Sequence, residues 1–255
     1  MDKPIWDGIF KDFDEVPTAG DGFNSSKWVE SSIAKVEQYL NIRNRDGFIP
    51  PKPIRPSSLP LMVSMLDSSL NETNKIIDFG GGLAFSFLGF MESCPNAFRF
   101  DYHIVEGSEV CAAGRNLFGD IESLSFCSSL NDLPFEKSDT VYINSVLQYI
   151  SNWKTLILDL IGFEPTWFLL DDVPASDIPG YATSQNYYES KIPCWFFNIS
   201  EIVEFFESSG YQLQYKAKFM CEILGKTEKY PMSNFPSQYT IDYPCTLLFK
   251  RSNND

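Results

Sequence analysis

Between an apolar run and an aromatic one, the stretch KIIDFGGGLAFSF (residues 75–87) sets Asp78, Gly80, Gly81, Gly82 and Ala84 in close order. Glycine inside regular structure costs about 0.5–1 kcal/mol relative to alanine, so three in a row are kept where backbone must turn sharply or another group must approach it. A strand, a glycine turn and a helix together cradle a nucleotide-like ligand, because small residues let the ligand touch backbone at a helix N-terminus. The dinucleotide pattern GxGxxG is met at Gly80 and Gly82 but has Phe85 in its third place, which counts against a nicotinamide dinucleotide. Glu106 closes a second apolar run, DYHIVE, somewhat further on than the roughly 20 residues usual between such a turn and its ribose acid. A carboxylate there accepts hydrogen bonds from both ribose hydroxyls.

Further chemistry sits at the ends of later apolar runs. Asp171 and Asp172 end TWFLLDD and read either as a general base or hydroxyl-orienting pair, or as turn caps. The segment SQNYYESKIPCWFF follows, with Gln185, Tyr187, Tyr188 and Trp195. An aromatic, amide-bearing loop in that place suits a sugar or other small polar acceptor, and has equal claim to be a packed lid. Other designs fail on composition. The single histidine, His103, rules out HExxH and two-histidine metal centres, so no metal site is expected. It lies inside a strand pattern and no GxSxG elbow is present, so it reads as structural or supporting. The DFG at residues 78–80 has neither an HRD-like catalytic loop before it nor a VAIK-like lysine strand, which excludes a protein kinase.

The spacing Asp78-x-Gly80-x-Gly82-x-Ala84 resembles the D-x-G-x-G-x-G/A turn of class I methyltransferases that use S-adenosylmethionine. The likeness continues through VEG at 105–107, LSFCSSLNDLP and SDTVYINSVLQYISNW. This combination resembles small bacterial methyltransferases often encoded with polysaccharide or capsule genes, over about residues 6–215. The resemblance implies S-adenosylmethionine as cofactor, held by Asp78, Gly80, Gly81, Gly82 and Glu106. It places Ser128, Ser129 and Leu130 against the adenine, and Asn144 and Ser145 beside the sulfonium. Gln148, a catalytic candidate, and Tyr149, an acceptor contact or core aromatic, begin the next helix. Ala84 departs from the pattern, since a third glycine is common there. The activity implied is O-methylation of a carbohydrate or a small phosphorylated capsule precursor. N-methylation, a nicotinamide-dependent oxidoreductase and a catalytically silent cofactor-binding or scaffold protein remain as alternatives.

The elements that must position these residues follow from periodicity. KIIDF, DYHIVE, LSF, SDTVYIN and TWFLLDD are short apolar strands, and LAFSFLGFMES, SEVCAAGRNLF, NWKTLILDLIGF and ISEIVEFFESSG are the helices near them. Alternation of this kind gives an α/β fold with a mostly parallel sheet covered on both faces. The resemblance makes it Rossmann-like, with an antiparallel last strand drawn from YQLQYKAKF and CTLLFK. Residues 57–255 read as this domain, and residues 1–56 as an N-terminal leader or cap. In the leader, Trp6, Ile9, Phe10 and Phe13 have helix-like spacing, a helix runs from Ser26 to about Leu40, and FIPPKPIRPSSLP is an extended, proline-set connector.

The net charge of −14, from 34 acids and 20 bases, disfavours nucleic acid or an anionic membrane surface as partner. Six scattered cysteines without a CxxC pair, and a start lacking a basic-then-apolar signal, point to a reduced, cytoplasmic setting. No apolar run approaches a membrane span. The expected partner is a small-molecule or saccharide acceptor, and the aromatic leader suits a homodimer.

Overall fold

The computed structural model describes residues 4–46, 57–65, 73–94, 99–119, 121–187, 189–220 and 229–252. In chain order its elements are β1 (Trp6–Phe10), α1 (Ser26–Asp46), α2 (Leu59–Met65), β2 (Asn74–Phe79), α3 (Phe85–Ser93), β3 (Phe100–Val105), α4 (Ser108–Phe118), β4 (Leu124–Cys127), β5 (Thr140–Asn144), α5 (Trp153–Ile161), β6 (Trp167–Val173), β7 (Ala175–Ser176), β8 (Tyr181–Tyr187), β9 (Ser190–Asn198), α6 (Ile199–Ser208), β10 (Tyr211–Lys218) and β11 (Cys245–Arg251). The expected α/β alternation is present. Most of the connector at residues 48–60 lies outside the described residues.

The chain divides into two compact units. The first holds residues 23–143 and 162–169 and contains the glycine turn. Its strands run in the order β6-β5-β2-β3-β4, with β2 parallel to both β3 and β5, and β3 parallel to β4. Ile76, Ile77 and Asp78 are all buried on β2, the continuous burial of a parallel strand covered on both faces. α3 is buried along most of its length, and its Phe87 and Phe90 meet Tyr102 and Phe100 of β3 edge-on at 5.3 and 5.2 Å. On α4, Gly114 leaves room for the Phe126 ring of β4, and the Arg115 guanidinium donates to the Phe126 carbonyl at 2.8 Å.

The second unit holds residues 1–22, 144–161 and 170–255. The end of β6 continues into the order β6-β11-β10, and β10 and β11 are antiparallel. A separate four-stranded sheet has the order β1-β8-β9-β7. β8 and β9 form an antiparallel hairpin, β1 lies antiparallel on β8, and β7 lies parallel to β9. Under this sheet packs an aromatic core of Trp6, Tyr181, Phe196 and Phe235 with Ile178 and Met232.

Five expectations change. Trp6 to Phe10 form strand β1, not a helix. Positions 6, 8 and 10 fit period two as well as 6, 9, 10 and 13 fit a helix, and Gly8 at φ +83° breaks helical geometry. The pairing offered by β8 then decides. SQNYYESKIPCWFF is strand and hairpin, not an irregular loop. Leu147–Tyr149 make a separate 3-10 turn, and α5 begins only at Trp153. β6 runs on to Val173, so Asp171 and Asp172 lie inside the strand. α1 reaches Asp46, past Leu40. Residues 1–22 group with the hairpin, and residues 23–143 with the glycine turn.

Candidate active site

The turn after β2 is built from backbone that only small residues tolerate. Gly80 has φ +73° and donates its N–H to the Val105 carbonyl at the end of β3, 2.8 Å away. A Cβ on Gly81 would stand 2.5 Å from Asp78 Oδ2 and 2.7 Å from its Cγ, so the acid of the motif fills the space that Gly81 leaves. Gly82 has φ +57°, and a Cβ there would meet nothing nearer than Phe85 Cδ2 at 4.0 Å. That is the opening a ligand needs to reach the backbone. Asp78 is fully buried and accepts the Tyr102 hydroxyl at 2.7 Å, which fixes the carboxylate against the turn. Ala84, at φ +62°, precedes α3 and contributes no side-chain cap.

Glu106 leaves β3 directly and its carboxylate returns to this turn. Oε2 accepts the Gly107 N–H at 2.7 Å. Burial holds its pKa above the ordinary glutamate value, with the backbone of Gly107 and then of Gly82 pulling the other way. After β4, the Ser128 hydroxyl donates to Asp132 Oδ2 at 2.8 Å, and Leu130 opens a 3-10 turn ending at Asp132. The Ser128 hydrogen bond, then that of Ser129, keeps Asp132 below the usual aspartate range. One unit thus brings together Asp78, Gly80, Gly81, Gly82, Glu106, Ser128, Ser129 and Leu130 at the C-terminal ends of three parallel strands.

The remaining candidates belong to the hairpin unit. Asn144 is buried at the end of β5, and Ser145 turns away with φ +61°, its N–H bonded to the Asp171 carbonyl at 2.9 Å. Gln148 is 4% exposed; its Nε2 donates to Ser145 Oγ at 3.4 Å, and its buried Oε1 has no hydrogen-bond partner among the described residues. The Tyr149 hydroxyl donates to Gln185 Oε1 at 2.8 Å. Burial foremost, then Cys194, Asp172 and Tyr187, push Tyr149 well above the ordinary tyrosine value, so it remains a hydrogen-bond donor.

The two aspartates separate clearly. Asp171 is fully buried, with Oδ1 accepting the Thr246 hydroxyl at 2.7 Å. Asp172 takes a left-handed conformation at φ +55°, and its charge raises the pKa values of Tyr149, Cys194 and Cys245. Cys194 is held up mainly by burial and stays a neutral thiol. Cys245 is pushed up to about 12, again chiefly by burial.

Hairpin register sorts the aromatic segment. The pairs Thr183–Cys194, Gln185–Ile192 and Tyr187–Ser190 share one face of the hairpin. Trp195 pairs with Ala182 and so points to the other, where its indole donates to the Ser151 carbonyl at 3.3 Å and lies 5.5 Å from Phe13. Trp195 is therefore separated from Gln185 and Tyr187. Tyr188 lies outside the described residues. The register also shows a side chain absent from the sequence-based set. Trp6 of β1 is directly opposite Gln185, and only the cross-strand pairing, not local spacing, reveals it. His103 on β3 has its Nδ1 2.5 Å from Ser125 Oγ, its ring meets Phe135 edge-on, and burial lowers its pKa.

No protein-family model and no curated protein matches the chain. Solved structures do. One is the 1,6-didemethyltoxoflavin-N1-methyltransferase of Burkholderia thailandensis with bound 1,6-didemethyltoxoflavin and S-adenosylhomocysteine, 14% identical at TM-score 0.52 over 92% of this chain and 94% of that one. A Listeria monocytogenes protein assigned to the S-adenosylmethionine-dependent methyltransferases is 8% identical at TM-score 0.53, over 77% of this chain and 100% of its own. A third likeness, 12% identical at TM-score 0.53 over 92% and 99%, is to the Haloferax volcanii methyltransferase candidate held by the Trm112 methyltransferase activator. The fold is that of the class I S-adenosylmethionine-dependent methyltransferases. Among the described residues, no helix is long and apolar enough to cross a membrane.

Proposed function

We propose that the protein transfers a methyl group from S-adenosylmethionine to an oxygen of a small, uncharged acceptor. The observation that carries this reading is Glu106 beside the glycine turn. A half-buried carboxylate follows β3, whose Val105 carbonyl accepts the Gly80 N–H, and in that turn Gly82 leaves open space. Those residues fit the cofactor. Glu106 would accept from the ribose hydroxyls, Gly80 to Gly82 would let it approach the backbone, and Ser128 to Leu130 would line the base. Phe85 in place of the third glycine counts against a nicotinamide dinucleotide.

When bound, S-adenosylmethionine supplies a methyl group already activated by a positively charged sulfur. The chain's own work is then alignment, exclusion of water and removal of one proton. Gln148 Oε1, buried without a partner, is suited to accept the hydrogen of the acceptor's reacting group. Of the two aspartates Asp172 is the candidate base, because its charge is felt by Tyr149 and Cys194. Tyr149, fixed as a donor on Gln185, shapes the acceptor side without taking a proton. Gln148, Tyr149, Gln185 and Tyr187 offer uncharged hydrogen-bonding groups, which suits a hydroxyl-bearing acceptor such as a carbohydrate.

The test is calorimetry of the purified protein with S-adenosylhomocysteine and, in parallel, with NAD, followed by transfer of a labelled methyl group to an acceptor panel. Binding of S-adenosylhomocysteine with methyl transfer is expected. Binding of NAD in its place would establish an oxidoreductase. Cofactor binding without transfer to oxygen or nitrogen acceptors would leave a silent binding protein.

A further inference from the structure

We propose that Trp6, on the N-terminal strand, is an acceptor-binding residue whose indole N–H donates to an oxygen of an uncharged acceptor. This rests on the methyltransferase reading and adds to it a residue and an acceptor class.

Trp6 is 6% exposed, and its Nε1 is buried with no hydrogen-bond partner among the described residues. A buried donor left unsatisfied costs about 1–3 kcal/mol, so a protein that keeps one in a well-packed place has a use for it. The ring is held firmly. It stacks on Tyr230 at 4.6 Å, meets Phe196 edge-on at 5.4 Å, and its carbonyl accepts the Asn234 amide at 2.9 Å. With ring contacts and backbone engaged, the N–H is what remains to be used.

Its surroundings belong to the acceptor side. Trp6 is opposite Gln185 in the β1–β8 register, so the two side chains share one face. Gln185 Oε1 receives the Tyr149 hydroxyl, and Tyr149 packs against the core cluster that includes Trp6 and Cys194. Gln148, one residue before Tyr149, carries an orphaned buried acceptor. Donor and acceptor of opposite sense thus stand in one unit, with Asp172 as the charge that Tyr149 and Cys194 feel. This pairing complements a group presenting both an oxygen lone pair and an O–H.

The experiment uses the full chain, S-adenosylmethionine and three probe sets: methyl glycosides and free monosaccharides, the matching sugar phosphates, and uncharged hydroxylated aromatic rings. Turnover is measured for wild type, Trp6→Phe and Asn234→Ala, with S-adenosylhomocysteine affinity measured on each. At least one uncharged acceptor should turn over, at least tenfold better than its phosphate. Trp6→Phe, which removes the N–H, should lower kcat/KM roughly three- to tenfold through KM, the value of one neutral hydrogen bond, with cofactor affinity unchanged. Asn234→Ala loosens the same strand but keeps the indole, and should stay near wild type. Preference for the phosphates, no turnover of any uncharged probe, an unaffected Trp6→Phe, or equal loss in Asn234→Ala overturns the proposal. Failure to bind S-adenosylhomocysteine at all is a separate result, and it removes the methyltransferase reading itself.

Discussion

In the glycine-turn unit every candidate residue but Asp78, which lies inside β2, stands just past a strand end: Gly80 to Gly82 after β2, Glu106 after β3, Ser128 to Leu130 after β4. In the hairpin unit strand pairing sets Trp6 opposite Gln185 and packing adds Tyr149, while Gln148 comes from the same 3-10 turn as Tyr149 and Asp172 from β6. The first arrangement depends on backbone shape, so its requirements are local and its residue types nearly forced. The second depends on register and burial, so single residues can be exchanged without altering the turns around them. A ligand shared by a whole fold suits the first construction, and an acceptor particular to one protein suits the second.

The comparison breaks most sharply at Asp172. A positioned base contributes about 10²–10⁴-fold, so Asp172→Asn should lower kcat by that order while S-adenosylhomocysteine affinity stays constant. Asp171→Asn should act differently. It disturbs a buried bond to Thr246 and should cost about 1–3 kcal/mol of stability, with turnover of the folded fraction near wild type. Single-turnover methyl transfer beside denaturant unfolding separates the two. Equal turnover losses in both variants would erase the distinction drawn between the aspartates.

Glu106 is the next largest effect and belongs to the other unit. Hydrogen bonds to a charged group contribute about 1.5–3 kcal/mol, so Glu106→Ala should weaken S-adenosylhomocysteine by roughly ten- to a hundredfold. Burial raises the Glu106 pKa in the free protein, and ribose hydroxyls donate best to the ionised form. Affinity should therefore fall on acidification, beginning at a higher pH than an ordinary glutamate would give, and Glu106→Gln should flatten that slope. The stability sign is opposite. A raised carboxyl favours the protonated folded state, so its contribution is present at low pH and is lost as pH rises through the folded-state pKa. Glu106→Gln should then leave the ligand-free protein at least as stable at neutral pH. Calorimetry across pH checks the first claim and thermal unfolding the second.

These contrasts explain what the sequence disclosed. The glycine turn is legible because the positive φ of Gly80 and Gly82 admits few residue types, and those types stand just past an apolar strand. The strands themselves were legible because burial on both faces writes a continuous apolar run. Trp6 was misread as helical because five residues fit two periods, and the strand on β8 that settled it lies more than 170 positions away, as the Thr183 bond to the Gly8 carbonyl shows. Trp195 looked like a neighbour of Tyr187, yet an even or odd position in the hairpin assigns each its face. What tells Asp171 from Asp172 comes from distant parts of the chain: Thr246 on β11 bonds Asp171, and Tyr149 and Cys194 feel the charge of Asp172.

A third effect tests how tightly the glycine turn is specified. Gly81→Ala drives a methyl into Asp78, which Tyr102 holds in place, and overpacking of this kind costs about 1–3 kcal/mol. Gly82→Ala meets open space and bears only the left-handed penalty of about 1–2 kcal/mol. Gly81→Ala should therefore also move Asp78, visible as a changed Tyr102 environment in near-ultraviolet circular dichroism, whereas Gly82→Ala should not. An identical spectral change in both would show that backbone strain alone governs the turn.

The smallest effect expected is at Ala84, the one position where the turn departs from the common glycine. Its φ of +62° costs a non-glycine residue about 1–2 kcal/mol, which Ala84→Gly would relieve. Against that, glycine adds unfolded-state entropy of about 0.5–1 kcal/mol, and the fully buried methyl forfeits up to ~0.8 kcal/mol of apolar burial. The terms nearly cancel, so Ala84→Gly should shift stability by less than about 1 kcal/mol and leave S-adenosylhomocysteine affinity within about twofold. Near-neutrality at Ala84 beside a marked loss at Gly81 means that the shape of the turn is held by its contact with Asp78. A large gain from Ala84→Gly would mean instead that strain at the mouth of α3 is stored in the free protein, and the turn would no longer be the rigid partner in the comparison.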